Sequence, residues 1–485
     1  MVPSVVTGLR ERTLRGFMLL AVQRVVGLLI SVVGGVFLAR LLMPEVFGVY
    51  AIIGFAVGIG VIVGDLGLGT ALIQRRNFDP TTTLNVAFTA HLVLAGTLGA
   101  VVVALAPVVV RWLGLAPEAM APLQCLALLI PLSALRMPTV VLLERNMEYL
   151  PLTIAETADT VTFHVVAVLA ALAGAGVWSF VLGAVMARLA GLVVTFSASQ
   201  WRPHIRCRWT DLAPVLKFGI PFQGTAILTL ARDAVLPTFV AALSGVAAVG
   251  FLNWAAALAF LPLQVVSIAG RVLFPALSQL QDNPRGFAEA TEKALNRVSV
   301  VLCPAAFLLL VGADPIVRLV YGDTWMPAVP AVRLFCLCAL LGGTSTVFVH
   351  ALYSLGRADT VLRLNLLWTI LLWGFTLVMV PWLGFVGYAL ASVCVSFTSA
   401  LTFLALRRLV PIRILPHVRV PLIAGLASAL VFAALTKLWS HDLPSLIIAG
   451  TAAIVAYISL TSIMGGAGWC GDLLDDWKRM LGIRS

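Results

Sequence analysis

Apolar runs of about 20 residues recur along the chain from Phe17 to Met464, and short polar or charged segments separate them. A run of this length crosses the hydrocarbon core of a bilayer as an α-helix. The pattern therefore predicts about fourteen membrane helices. Their predicted spans are 17–39, 46–70, 84–110, 119–143, 152–173, 177–198, 216–243, 247–275, 297–320, 328–354, 360–381, 384–406, 418–438 and 444–464.

The amino-acid composition also indicates a membrane protein. Hydrophobic residues make up 61% of the chain and charged residues 11%, whereas soluble domains average about 45–50% apolar and about 25% charged residues. A soluble protein is therefore excluded. The connections between the runs are short, so we expect one all-α integral membrane body without an extramembrane catalytic domain.

The distribution of basic residues predicts the topology, because Lys and Arg in short loops stay on the cytoplasmic side. With a cytoplasmic N-terminus, cytoplasmic segments collect about 24 of the 32 basic residues, with Arg136 and Arg145 among them. An even number of helices also places the C-terminus in the cytoplasm. Topology and the anionic inner leaflet explain the net charge of +11, so a nucleic-acid partner is not needed.

The two halves of the chain echo each other. An offset of about 202 residues sets Arg15 over Lys217 and Gly48 over Gly250, and an offset of about 208 sets 176–183 over 384–391. Helices 1–6 would then repeat in helices 7–12 with the same orientation. Such a parallel repeat implies two six-helix lobes around a central cavity.

The predicted domains follow from this repeat: an N-terminal lobe (1–199), a cytoplasmic linker (200–217), a C-terminal lobe (218–410), and helices 13 and 14 with a cytoplasmic tail (411–485). The seven cysteines have scattered spacing and lie mostly in apolar runs, so we expect neither a disulfide framework nor a metal site.

Several segments have the order and character of motifs in a known family. They are Asp65-Leu-Gly-Leu-Gly-Thr-Ala-Leu-Ile-Gln-Arg-Arg76, Trp201-Arg-Pro-His-Ile-Arg206, Lys217-Phe-Gly-Ile-Pro221, Pro262-Leu-Gln264 with Arg271-Val-Leu-Phe-Pro-Ala-Leu-Ser278, and Tyr321-Gly-Asp-Thr-Trp-Met-Pro327. From about Arg15 to Arg408 the chain resembles the polysaccharide transporter family of oligosaccharide and lipopolysaccharide O-antigen flippases. That family shares a superfamily with multidrug and toxin extrusion antiporters and lipid II flippases.

The resemblance implies a bacterial inner-membrane protein. It would move undecaprenyl-diphosphate-linked oligosaccharides from the cytoplasmic to the periplasmic leaflet by alternating access, alongside polysaccharide polymerase and export proteins. One departure lies in helix 7, where Arg232-Asp233 is followed by apolar Ala234-Val-Leu-Pro237 instead of polar residues.

Three arginines inside predicted helices are candidate ligands for the diphosphate: Arg24, Arg188 and Arg232. A charge at bilayer depth costs roughly 2.5–3.5 kcal/mol on insertion scales, so it usually faces a cavity or a partner. Arginine can hold two phosphate oxygens at once. Internal pairing or snorkelling to the interface is the alternative for each of the three.

Further polar residues are candidates for the cavity or for ion coupling. Glu156, Asp159, Thr160 and His164 are predicted to lie on one face of one helix, where they could line a sugar path, hold a coupling cation, or neutralise Arg188. Asp65 lies in a Gly-rich segment, as a hinge-side cap or a ligand contact. Asp233 adjoins Arg232 in sequence but is expected to point to another side of the helix.

The sequence has no Walker A motif, no metalloprotease motif and no nucleophile elbow, so we expect neither an ATP-driven pump nor an enzyme, and no cofactor. The rival functions are a cation-coupled drug antiporter of the same fold and an intramembrane polysaccharide polymerase or ligase. Membrane potential and proton or sodium exchange both stay open as energy sources.

Overall fold

The computed structural model describes residues 3–74, 79, 82–264, 277–438 and 442–465, and these residues form helices and connecting turns without strands. The prediction of an all-α protein is confirmed. The chain consists of two compact units, a first unit, Met1–Gly250, and a second unit, Phe251–Ser485. The lobe boundaries at 199 and 218 stay a prediction.

The helices of the first unit begin with α1 and end with α11, which contains the boundary between the units. Their bounds are α1 Pro3–Leu41, α2 Pro44–Asp65, α3 Leu68–Gln74, α4 Thr83–Trp112, a 3-10 turn Pro117–Ala119, α5 Met120–Leu126, α6 Leu129–Arg145, α7 Tyr149–Leu172, α8 Trp178–Ala198, α9 Trp209–Asp233, a π turn Leu236–Val240, α10 Ala241–Ser244 and α11 Val246–Ala259.

The second unit continues with seven further helices. Their bounds are α12 Pro284–Ile316, a π turn Val317–Tyr321, a 3-10 turn Asp323–Ala328, α13 Val329–Ser354, α14 Ala358–Leu383, α15 Val386–Phe397, α16 Ala400–Arg407, α17 Leu415–Leu438 and α18 Leu443–Gly465.

Thirteen helical spans among the described residues are long and apolar enough to cross a membrane. They match thirteen of the predicted spans to within several residues, except at the start of the seventh and ninth. The remaining prediction, 247–275, coincides with the shorter apolar helix α11 and then enters residues 265–276, which lie outside the described part of the chain. The count of fourteen therefore stays a prediction.

The start of α12 differs most from the prediction, since the helix begins at Pro284 instead of residue 297. The side chain of Asn283 accepts a hydrogen bond from the Gly286 amide, which caps the helix, and Pro284 fits its first turn. The added turns are amphipathic, with Phe287 and Leu295 buried. Hydropathy windows miss such an extension because its charged face lowers the mean.

In the first unit, α7 packs against α8 and α1, and α4 packs against α2 and α6. Buried aliphatic side chains fill the space between these helices, among them Ile52, Leu123, Ile130 and Val181. In the second unit, α17 and α18 form a hairpin, and α12 packs on both of its helices and on α13. The Tyr457 hydroxyl donates to the Val300 carbonyl oxygen at 2.9 Å and fixes α18 against α12.

A reciprocal contact joins α2 to the start of α11. A Cβ atom at Gly48 would overlap the Val246 carbonyl oxygen, and a Cβ atom at Gly250 would overlap the Pro44 carbonyl oxygen. The predicted offset of 202 residues relates Gly48 to Gly250 and Pro44 to Val246. A self-complementary contact of this kind is what a local two-fold relation between repeated segments produces.

This close contact predicts opposite effects for two glycines of α2. Gly48→Ala should destabilise the protein by about 1–3 kcal/mol, because the added methyl group meets backbone that cannot move cheaply. Gly54→Ala is the matched control, since nothing lies within 4 Å of its Cβ position, and it should be neutral or stabilising by up to about 1 kcal/mol. Thermal unfolding in detergent measures both, and equal melting temperatures would contradict the contact.

Candidate functional site

A largely buried ion pair joins α6 to α7. Arg136 Nη1 donates to Asp159 Oδ2 at 2.5 Å, and the two side chains are 10% and 26% exposed. The other carboxylate oxygen of Asp159 is buried and has no hydrogen-bond partner among the described residues. Both charges lie within membrane spans, where an unpaired charge would be costly. The pair therefore fixes α6 and α7 to each other.

Arg188 of α8 lies close enough to this pair to interact electrostatically with both Arg136 and Asp159. Gly191, one turn further along α8, allows the approach, because any Cβ there would overlap the Asp159 carboxylate. We call Arg136, Asp159 and Arg188 the arginine cluster. Two guanidinium groups and one carboxylate give the cluster a formal charge of +1. The Arg188 side chain is half-buried. Such a cluster can attract an anionic group.

Arg188 lies inside a helix, as predicted, whereas Arg136 was predicted in a cytoplasmic segment. That assignment is wrong, because Arg136 is buried in the middle of α6. The sequence did contain an indication that Arg136 is intramembrane, since residue 136 lies within the predicted span 119–143. Counting positive charges by side gives no weight to such residues.

The polar residues of α7 do not share one narrow face. Successive residues in an α-helix are about 100° apart, so Asp159 and His164 point about 140° apart. Asp159 faces α6 and α8. Thr160 lies beside Gly27 of α1, while His164 lies so close to Gly34 of α1 that no side chain fits there.

Glu156 is exposed on α7. Helix α7 therefore presents the Asp159 carboxylate to the arginine cluster, the Glu156 carboxylate at the surface of the unit, and the His164 imidazole to α1.

Arg232 and Asp233 are partners, contrary to the expectation from their positions on the helix. Arg232 Nε donates to Asp233 Oδ1 at 3.0 Å, and the side chains are 39% and 53% exposed. Both residues occupy the last turn of α9, where long flexible side chains can bend back to each other. Arg24 lies exposed on α1, in a membrane span that packs on α7.

Asp65 is the last residue of α2, and the helix is interrupted there before α3 begins at Leu68. It is half-buried, and its charge acts on His91 of α4. Among the described residues, no group of three or more His, Cys, Asp or Glu side chains is arranged to hold a metal ion.

Two of the motif segments have a packing role. The indole of Trp201 donates from Nε1 to Asn85 Oδ1 at 2.9 Å and meets Phe88 edge-on, with ring centroids 5.1 Å apart. In the second unit, Trp325 stacks on Trp254 at 4.6 Å and is fully buried. These aromatic residues fix connecting segments to the helices instead of forming an open binding surface.

Comparison with known proteins identifies the family. A family model described as "Polysaccharide biosynthesis protein" matches residues 37–330, more than half of the chain. The chain belongs to this polysaccharide biosynthesis family.

Two relatives of this protein are named for polysaccharide transport or biosynthesis. The succinoglycan biosynthesis transport protein ExoT of Rhizobium meliloti (strain 1021) is 26% identical over 321 residues, which cover 66% of this chain and 65% of ExoT. The lipopolysaccharide biosynthesis protein WzxC of Escherichia coli (strain K12) is 24% identical over 373 residues, covering 75% of this chain and 74% of WzxC.

A solved structure shows the fold. The lipid II flippase MurJ, in an inward closed conformation, superimposes with a TM-score of 0.75, covering 92% of this chain and 98% of MurJ at 15% sequence identity. The family member is thus an integral membrane protein with a MurJ-like fold.

The buried pair predicts a strong non-additive effect of mutation. Asp159→Leu alone should destabilise the protein by about 3–5 kcal/mol, because it leaves the buried Arg136 without its carboxylate. Arg136→Met should cost less, because Arg188 remains beside Asp159. The double variant removes both charges and should unfold at a clearly higher temperature than either single variant. Additive losses in detergent melting curves would show that the two side chains do not interact.

Proposed function

We propose that this family member is a flippase for polyprenyl-diphosphate-linked oligosaccharides. It moves a glycan unit of exopolysaccharide, O-antigen or related type from the cytoplasmic to the periplasmic leaflet. The family match and the names of ExoT and WzxC support a role in polysaccharide export. The MurJ-like fold supports a lipid-linked substrate, since MurJ is a lipid II flippase.

The observation that carries the proposal is the excess positive charge of the arginine cluster. Arg136 and Asp159 neutralise each other, and Arg188 adds a guanidinium group inside the membrane span 178–198. A diphosphate offers two negative charges and oxygens that match the guanidinium fork. The free energy of pairing the diphosphate with Arg188 would therefore offset the cost of removing the Arg188 guanidinium group from water.

Arg232 and Arg24 are further ligand candidates in the first unit. Arg232 already holds a carboxylate, that of Asp233, in an exposed pair that a phosphate oxygen could replace. Exposed Glu156 is suited to accept hydrogen bonds from sugar hydroxyl groups. In this mechanism the polyprenyl tail stays in lipid while the headgroup passes through the protein by alternating access.

The proposed setting is the bacterial inner membrane, with both termini in the cytoplasm and a polymerase acting on the product outside. A cationic drug is a poorer substrate for a site with net positive charge, because like charges repel. The arginine cluster thus favours an anionic lipid over a drug.

Transport measurements on arginine variants test the proposal. In proteoliposomes with labelled lipid-linked oligosaccharide, Arg188→Ala should slow flipping about 100-fold, because a lost charged hydrogen-bonding partner is worth about 1.5–3 kcal/mol per contact. Arg188→Lys should restore part of the rate, since lysine keeps the charge without the bidentate fork.

Arg363→Ala is the matched control. It removes the same charge from an exposed pair with Asp359 and should leave the rate unchanged. Wild-type rates in Arg188→Ala with normal membrane abundance would refute a phosphate-binding role. Uptake of cationic dyes without movement of the lipid would identify a drug antiporter.

The proposed topology has its own test. A reporter fused after Arg208 should be cytoplasmic and one fused after Lys437 periplasmic, because basic loops remain inside. Phosphatase and fluorescent-protein fusions read the two sides independently. Location of both fusion points on one side would rule out the fourteen-helix topology.

A further inference from the structure

The second membrane span is a broken helix. The span Pro44–Gln74 consists of α2 and α3, and between them Leu66 and Gly67 adopt the left-handed conformation with φ values of 47° and 69°. Glycine adopts this conformation freely, whereas for Leu66 it is unfavourable. A broken helix at membrane depth is tolerated where it is buried in protein or lines a cavity, because the freed backbone groups need partners.

A buried imidazole lies next to this break. His91 of α4 is 2% exposed, and neither of its ring nitrogens has a hydrogen-bond partner among the described residues. A neutral imidazole therefore buries one unused donor and one unused acceptor, at about 1–3 kcal/mol each. Groups left unsatisfied at this cost are rare and call for an explanation.

Asp65 supplies the negative charge that such an imidazole needs. It is the last residue of α2, so its carboxylate lies beside the negative end of the helix dipole. That position favours a nearby positive charge. Asp65 lies near enough for its charge to act on His91, although neither ring nitrogen of His91 makes a hydrogen bond among the described residues.

Other charged groups on the elements packed around α4 are engaged or exposed. Arg136 of α6 is held by Asp159, and Arg145 donates to the carbonyl oxygens of Leu72 and Ile73 at 2.7 and 3.0 Å. Lys217 of α9 is exposed, and the remaining titratable groups with described side chains on α2, α5, α6 and α9 are Glu45, Tyr50, Cys125, Glu144, Arg232 and Asp233. The segment 199–206 also packs on α4, where the Arg206 amide donates to Thr89 Oγ1, and its Arg202, His204 and Arg206 side chains are exposed, as is Glu118 on the turn before α5. Within the described part of the chain, Asp65 is the group whose charge acts on His91.

Contacts from α9 connect the break to the helix that carries Arg232. Gln223 Nε2 donates to the Ile62 carbonyl oxygen at 2.7 Å, where a continuous helix would place the amide of residue 66. Gly67 and Gly219 bring the two backbones together so closely that a Cβ on either residue would overlap the other chain segment. With Arg145 holding the far end of α3, a change at the break must be transmitted to α9.

We propose that His91 and Asp65 form a proton-binding site at this break, and that proton binding controls the contact between the break and α9. A proton from water forms an N–H bond on the imidazole, the imidazolium pairs with the Asp65 carboxylate, and the site changes from a net charge of −1 to neutral. Release to water breaks the same bond. The role of this step in driving lipid export rests on the proposed function.

Hydrogen–deuterium exchange of the full-length protein in nanodiscs tests the site without any substrate. After correction for the intrinsic rate, amides 62–70 of the wild type should exchange at least about threefold differently between acidic and alkaline pH, since the break responds to one proton. His91→Gln and Asp65→Asn should both lose this difference. His164→Gln is the control, because the His164 imidazole is half-buried and faces α1 instead of the break.

Transport adds the link to function. An inward proton gradient should accelerate flipping in the wild type, and this acceleration should be about tenfold smaller in His91→Gln and Asp65→Asn. Both variants should keep the flipping that membrane potential drives. An unchanged pH response of the amides in Asp65→Asn, or a response to sodium instead of pH, would overturn the proton site. Absence of flipping in every protein, with the amide response intact in the wild type, would refute the proposed function alone.

Discussion

The pairing of Arg136 with Asp159 is the interaction on which the first unit depends. Neither charge could remain within a membrane span without the other, so their contact fixes α6 against α7. Gly191 lets α8 close over the pair and places Arg188 beside it. Because one carboxylate serves two guanidinium groups, the same contact that stabilises the helices leaves a positive charge for an anionic ligand.

The sequence predicted the helices well because apolar runs of membrane length have few other solutions. It missed features that depend on more than mean hydropathy. The charged face of α12 hid the turns from Pro284 onward, and the break after Asp65 depends on two left-handed residues inside an apolar run. The Gly-rich composition around Gly67 indicated a hinge there, but not that α9 would cross at the same place.

The site was harder to predict than the fold, since its contacts join different helices. Arg188 was identified as an intramembrane charge, whereas its neighbour Arg136 was counted with the loops. Helical periodicity gives the face of a residue but not the partner across the interface. His91 gave no signal at all, because a histidine in an apolar run is commonly a satisfied core residue. Only its two unpartnered nitrogens set it apart.

The two proposed sites act in the same electrical direction, so membrane potential and inward proton movement would both favour the proposed export cycle. Moving a diphosphate outward carries about two negative charges out of the cell, and moving a proton inward carries one positive charge in. Each charge is worth about 2.3 kcal/mol per 100 mV, so a cycle that couples both would gain about 7 kcal/mol at 100 mV. A protein that binds its anion at Arg188 and its proton at His91, as proposed, would hold both charges in one unit. Compensation within that unit lowers the cost of carrying either charge across the membrane, since the arginine cluster offsets one of the two substrate charges and the bound proton offsets the charge of Asp65.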